Sequence, residues 1–176
     1  NVYHADGNFR SKFDKTVETL RDKAVLAIEK RQVQTIRVTK GTETRSFTLS
    51  TPPVDVSQTG DRTDKEAVPS EAGMAWMAAD GTKADEATID NLLGILSRLK
   101  CDAYQDTDKK DDALVPSHRV EVGGAKDASL SLFEKADGEE NRYPGVSSDN
   151  DYPFFLPEYQ GKNIIEKIDK LLERTS

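Results

Sequence analysis

Apolar positions along this chain recur with two different periods, and the switches between them mark out its elements. Phe9, Phe13, Val17 and Leu20 fall at helical spacing, which predicts a helix over residues 8–21 behind the turn pair Asp6-Gly7. A charged link over 22–31 follows, and the period then drops to two. In 33–40, Ile36 and Val38 share one face while Thr35, Arg37 and Thr39 share the other. Gly41 supplies a turn, and 42–50 alternates again with Phe47 and Leu49 on one side, so the pair reads as a hairpin. Residues 51–73 lack any apolar pattern and carry Pro52, Pro53 and Pro69, which predicts a long loop. Residues 74–79, centred on Trp76, read as a third strand. The strongest helical pattern comes next: Ile89, Leu92, Leu93, Leu96 and Leu99 lie on one face over 85–100, with Asp85 or a near neighbour placed to cap it. Gly94 costs this helix about 1 kcal/mol against Ala unless a close backbone contact needs it.

The same order then returns. A short strand at 102–105 and a charged connector at 106–116 lead to a second hairpin. Its arms are 119–122 and 129–135, joined by a Gly123-Gly124 turn, with Leu130 and Leu132 on one face. Residues 136–151 read as a polar loop, 152–156 as a strand, and 161–174 as a helix with Ile164, Ile165, Ile168, Leu171 and Leu172 inward. Residues 1–22 also align with 153–174 without a gap. Val2-Tyr3 falls on Phe154-Phe155, Phe13-Asp14-Lys15 on Ile165-Glu166-Lys167, and Leu20 on Leu172. The expectation is an α+β fold of two hairpin–strand–helix repeats plus a leading strand–helix, with antiparallel sheets carrying helices on one face. It divides the chain at 1–32, 33–105 and 106–176, and a chain that opens on the closing half of its repeat implies a longer protein upstream.

Composition narrows the function classes. Only 35% of residues are apolar and 32% are charged, so the core is thin relative to its surface, as in a layered fold. The net charge is -7 with both signs interspersed, which leaves no basic face for nucleic acid or for an anionic membrane. Cys101 is alone, so no intramolecular disulfide forms, and a small semi-buried residue just after a helix is its ordinary role. No stretch approaches the roughly 20 apolar residues of a membrane span.

Candidate chemistry is sparse. His4 has only Asp6 at ligand spacing and His118 only Glu121, too few for a metal site or a triad, so both read as solvated strand-end histidines. Asp106, Asp108, Asp111 and Asp112 alternate like a calcium loop. Such a loop needs Gly at its sixth position and Glu at its twelfth. Asp111 and Ser117 stand there instead, and Lys109 and Lys110 sit among the acids. Asp149-Asn150-Asp151 is a weaker candidate of the same kind. Trp76 reads as core rather than as a partner anchor, because it alternates in a strand facing a Leu-rich helix. Phosphate-binding, nucleophile-elbow and zinc-helix patterns do not occur. No residue is therefore assigned as catalytic, cofactor-binding or metal-binding, and no cofactor is expected.

Several stretches, in order, carry a resemblance. They are Leu20-Arg21-Asp22-Lys23-Ala24-Val25-Leu26, the strand at 33–38, Ala75-Trp76-Met77, and Ala84-Asp85 leading into Leu92-Leu93 and Leu96. Together they resemble the bacterial family known as domain of unknown function 4340, over about residues 13–104. The chain departs from that pattern at Asp80-Gly81, where a proline usually follows the Trp strand. The resemblance implies a membrane-anchored, mostly extracytoplasmic protein, encoded beside ABC-transporter components of the type associated with gliding motility. The family has no established catalytic residues to carry over. The expectation is thus a non-catalytic interaction domain in the periplasm or outside the cytoplasm. A segment upstream of Asn1 would anchor it to the inner membrane, and its partners would be membrane transport components or other envelope proteins. The alternative is a small-ligand binding domain or hydrolase using loop 51–73 as a lid, which requires a cleft with a perturbed titratable group.

Overall fold

The structure of the chain, a computed structural model, describes residues 22–50, 73–105, 115–135 and 141–173. The first hairpin forms where the alternation places it. Val33, Ile36 and Val38 are buried on one side of β1 (Val33–Lys40), and Phe47 on the same side of β2 (Glu43–Ser50). Gly41 makes the turn between them with φ +56°, a conformation that glycine adopts without steric cost. The three-residue step from Val33 to Ile36 breaks the alternation, and the pairing register shifts between Val33 and Thr35 to absorb it. β3 (Ala75–Ala78) adds to β2 and buries Trp76 as expected.

α1 (Glu86–Leu96) buries Ile89, Leu92, Leu93 and Leu96, and Asp85 caps it by accepting from the Ala87 and Thr88 amides. It ends before the expected residue 100. The Leu99 carbonyl accepts from the Val25 amide at 3.1 Å, and Lys100 bridges to Ala24, which draws the chain off the helix axis. The second half supplies β4 (Ala103–Tyr104), β5 (His118–Gly124), β6 (Ala128–Leu132), β7 (Arg142–Ser147), β8 (Phe154–Pro157) and α2 (Glu158–Leu172). All eight strands join one antiparallel sheet in the order β3-β2-β1-β5-β6-β7-β8-β4. Both helices lie on one face of it and also pack on each other. A single core results, with Phe47, Phe154, Ile36, Leu92, Leu130 and Ile164 among its fully buried side chains. Each contributes roughly 1.5–3 kcal/mol by leaving water, so neither half can shed its partner without a large fraction of total stability.

The α+β class and the antiparallel pairing follow the sequence, but four details differ. Among the described residues there is one sheet rather than several. Gly123-Gly124 is not the hairpin turn but the end of β5. The 22–31 link is not merely charged: Val25, Leu26 and Ile28 are buried in the core. Finally, the expected polar loop at 136–151 contains β7. Its helix-facing positions are Tyr143, Gly145 and Ser147, and Pro144 lies within it, so no apolar alternation marks it as a strand. Gly145 fits closely there, because a Cβ would sit 3.0 Å from the Phe154 ring. Ser147 donates to the Val25 carbonyl, which ties the strand to the buried link. β7 stands between β6 and β8, whereas β2 pairs directly with β3, so the described strands of the two units are arranged differently. The leading strand–helix of residues 1–21 lies outside the described residues, as does most of loop 51–73.

Both margins of the sheet are met by the chain itself. At the β3 edge, the Ala78 amide donates to the Thr82 carbonyl and the Ala84 amide to Trp76, each at 2.8 Å. The intervening Asp80-Gly81 forms that turn, with Gly81 at φ +81°. At the other margin, residues 23–25 bond to 99–101 just before β4 enters the sheet.

Candidate functional site

The sheet face opposite the helices carries a broad row of polar side chains. Ser46, Arg37, Glu121 and Ser129 stand side by side on β2, β1, β5 and β6, with Thr48, Thr35 and Gly123 forming the next row. Arg119 Nη2 lies 2.7 Å from Glu121 Oε1, and Arg37 Nη1 lies 3.4 Å from Oε2, so one carboxylate is clamped between two guanidinium groups. Arg37 Nε also donates to Ser46 Oγ at 3.3 Å. These residues, with Asp127 and Ser148, line an open groove of about 530 Å³. Gly123 sets its depth: a Cβ there would come 2.5 Å from Thr35 Oγ1. Gly124 allows β5 to approach the β1 bulge, because its Cβ would lie 2.0 Å from the Gln32 carbonyl oxygen. Two cations and two anions line the groove, so hydrogen bonding rather than net charge would select an occupant.

A second cluster lies on the helix side. Lys40 and His118 are register partners on β1 and β5, and both reach Asp169 of α2. Lys40 Nζ is 2.9 Å and His118 Nε2 is 3.5 Å from Asp169 Oδ1. The other ring nitrogen, Nδ1, is 3.1 Å from Ser117 Oγ, and Ser117 Oγ donates to the Leu132 carbonyl at 3.1 Å. Burial holds the imidazole pKa below its ordinary value, against the pull of Asp169 and with the help of Lys40. The expected solvated histidine is therefore mostly buried, with its side chain 11% exposed. Ser117, His118 and Asp169 form a serine–imidazole–carboxylate line, but Ser117 gives its only proton to a carbonyl. With that hydrogen on the carbonyl, the imidazole is not the acceptor a general base would be in this arrangement.

The other sequence candidates resolve into structural roles or fall outside the described residues. Asp149 accepts from the Ala27 amide at 3.0 Å and from Lys126 Nζ at 2.7 Å. Burial raises its pKa, but these bonds outweigh it and the net displacement is downward. Asn150 Oδ1 accepts from the Tyr152 amide, and Asn150 Nδ2 donates to the Tyr104 hydroxyl. Cys101 is buried, which pushes its thiol pKa up. His4, Asp6 and the acids at 106–112 lie outside the described residues. Among the described residues, no three His, Cys, Asp or Glu side chains converge as metal ligands, and no helix is long and apolar enough to cross a membrane. Neither the groove row nor the His118 cluster was visible in the sequence. Both join residues separated by about eighty positions, which only the β1–β5 register brings together.

A family model described as "Domain of unknown function (DUF4340)" matches residues 1–116. The chain belongs to the DUF4340 family. No curated protein and no solved structure matches it. The DUF4340 match holds β1 to β4 and α1 but ends before β5, so it divides the groove. Arg37, Thr35 and Ser46 lie inside the matched span, whereas Arg119, Glu121 and Ser129 lie beyond it.

Proposed function

We propose that this chain is a non-catalytic interaction domain that receives a partner protein on the open face of its sheet. We further propose that it works outside the cytoplasm, anchored to the inner membrane by a segment upstream of Asn1. Its partners are membrane transport components of an ABC-type or gliding-motility-like system, or other envelope proteins. The observation that carries the interaction reading is the groove of Arg37, Arg119 and Glu121. It is an ordered, mixed-charge surface on a broad sheet face that no described helix covers. Strand addition at the β3 edge is the less favoured mode, because the chain's own segment 82–84 already bonds along it. The location and the transport association rest on the family resemblance.

Site-specific photo-crosslinking in cells tests this reading. A photoreactive residue at Thr48, on the groove rim, is expected to capture a membrane transport or envelope component. The same residue at Glu166, on the exposed side of α2, is expected to capture none. Equal capture from both positions, or none from Thr48, would refute the face. Arg37→Ala together with Arg119→Ala is expected to weaken the association about tenfold or more, as truncated arginine anchors commonly do. The melting temperature should stay nearly unchanged. Fusion to a reporter active only outside the cytoplasm tests the location, and a silent fusion would refute it.

The second reading, a small-ligand site or hydrolase, draws its support from the same 530 Å³ groove and from the Ser117–His118–Asp169 line. The groove is open, and the Ser117 proton is already committed, so the interaction reading is preferred. Turnover in a broad hydrolase screen that disappears in Ser117→Ala would reverse that preference.

A further inference from the structure

The open face of the sheet changes character beyond β6. Leu132 and Gly145 are register partners turned towards the helices, so by alternation Phe133, Pro144 and Val146 turn the other way. Phe155, between the fully buried Phe154 and Leu156, does the same. Pro144 and Ala103 are its register partners on β7 and β4, and the Phe133 amide donates to the Pro144 carbonyl at 3.0 Å. Phe133, Pro144, Phe155 and Ala103 therefore form one apolar row across four strands, with Val146 beside it. All five are half-buried, and Phe133, Val146 and Phe155 stand apart from the core beneath the helices. Arg142 closes one side, its guanidinium 6.0 Å from the Phe155 ring and its Nε 3.0 Å from Asp102 Oδ2.

The described chain begins at the end of this row. Tyr104 Oη donates to the Asp22 carbonyl at 2.5 Å, and Lys23 Nζ to the Asp102 carbonyl at 2.9 Å. The Cys101 amide donates to Lys23 while the next amide, of Asp102, donates to Phe155, so Asp22 and Lys23 flank the margin of β4 that β8 leaves free. Residues 8–21 lie outside the described residues, but their sequence carries an apolar stripe that needs cover, Phe9, Phe13, Val17 and Leu20. A helix of that length is marginal alone in water and reaches about 21 Å. The row is three strand spacings long, about 14 Å. Arg10, Lys12, Lys15 and Arg21 outnumber Asp14 and Glu18 in the segment, whereas the whole chain carries -7, so the rest of the chain attracts it. We propose that residues 8–21 dock their apolar stripe on the Phe133–Pro144–Phe155–Ala103 row and cover the β4 end of the open face. The groove on β2, β1, β5 and β6 stays clear, so this contact does not depend on the partner proposed there.

The test places benzoylphenylalanine, a photoreactive side chain shaped like phenylalanine, at Phe155 of the full chain, purified and dilute. Irradiation is expected to give a single-chain adduct, located by mass spectrometry within residues 8–21. Phe13→Gln should reduce that adduct several-fold, because it removes a buried phenylalanine from the stripe. Lys15→Gln, the same new residue on the opposite side of the helix, should leave the adduct intact. An adduct joining two chains would give the row to a second copy, and an adduct elsewhere in the chain, or none, would take it from residues 8–21. Each of these results overturns the proposal, as does an adduct that survives Phe13→Gln unchanged. Thr48 remains the probe of the groove, so either contact can fail without the other.

Discussion

Among the described residues, two glycines sit within helices, and their surroundings assign them opposite roles. Gly94 in α1 has open space where a Cβ would go, so no close contact justifies it. Gly161 in α2 meets the Tyr143 ring, with a Cβ falling 2.2 Å from Cδ2. Gly94→Ala is therefore expected to stabilise the protein by up to about 1 kcal/mol, the helix-propensity difference. Gly161→Ala should destabilise it by about 1–3 kcal/mol, because the overpacked ring has to shift β7 against α2. Thermal or urea unfolding of the two variants checks both signs, and a matching sign would refute the packing argument. Gly161 read in the sequence as an ordinary helix start. Its partner Tyr143 lay in what looked like a loop, so nothing local announced the contact.

At the scale of elements, Asp85 joins two helices as well as capping one. Its carboxylate accepts from the α1 amides and from Thr88 Oγ1 at 2.7 Å, and Lys170 of α2 reaches it at 2.7 Å. Lys170 and then Thr88 hold its pKa well below the usual carboxylate range. A depressed carboxylate contributes stability that is present above its ordinary value of 3.8 and is lost as pH falls through the folded value. Asp85→Ala is expected to cost about 1 kcal/mol at neutral pH from the cap alone. Asp85→Asn should keep part of the cap but flatten the acid limb of the stability–pH curve. An unchanged limb in that variant would refute the role of its charge. The cap was legible, since an Asp before a Leu-rich stripe is a local signal. The reach of Lys170 was not, because it depends on how α1 and α2 cross.

For the whole molecule, the boundary of the family match does not coincide with a boundary in the fold. Residue 116 falls just before β5, the strand that pairs along β1 from Lys40↔His118 to Val33↔Gly124. Removing everything after residue 116 would strip β1 of its second neighbour and α1 of its contact with α2. It would also open the core at Val120, Val122, Leu130, Leu132, Leu156 and Ile164. A 1–116 fragment is expected not to fold cooperatively: its amide NMR spectrum should be poorly dispersed and its thermal transition absent. A well-dispersed spectrum with a sharp transition would show that the matched span is self-sufficient and that the shared sheet is secondary.

The periods of apolar residues determined most of the elements of this protein by themselves: the first hairpin, the Trp76 strand, the two described helices and the α+β class. Those features depend on side chains alternating in and out along one segment, and that information is local. Tertiary structure decided what depends on contacts across the chain. β7 exists because Gly145 and Ser147 fit beneath Phe154 and against Val25, not because its residues favour a strand. The groove row and the Lys40–His118–Asp169 cluster exist because β1 and β5 pair in one register. A slip of β5 by one residue would send Glu121 to the helix side, away from Arg37, and turn His118 away from Asp169. Strand pairing joins residues without regard to their separation in sequence, so the positions that carry candidate function here had no signature until the sheet was formed.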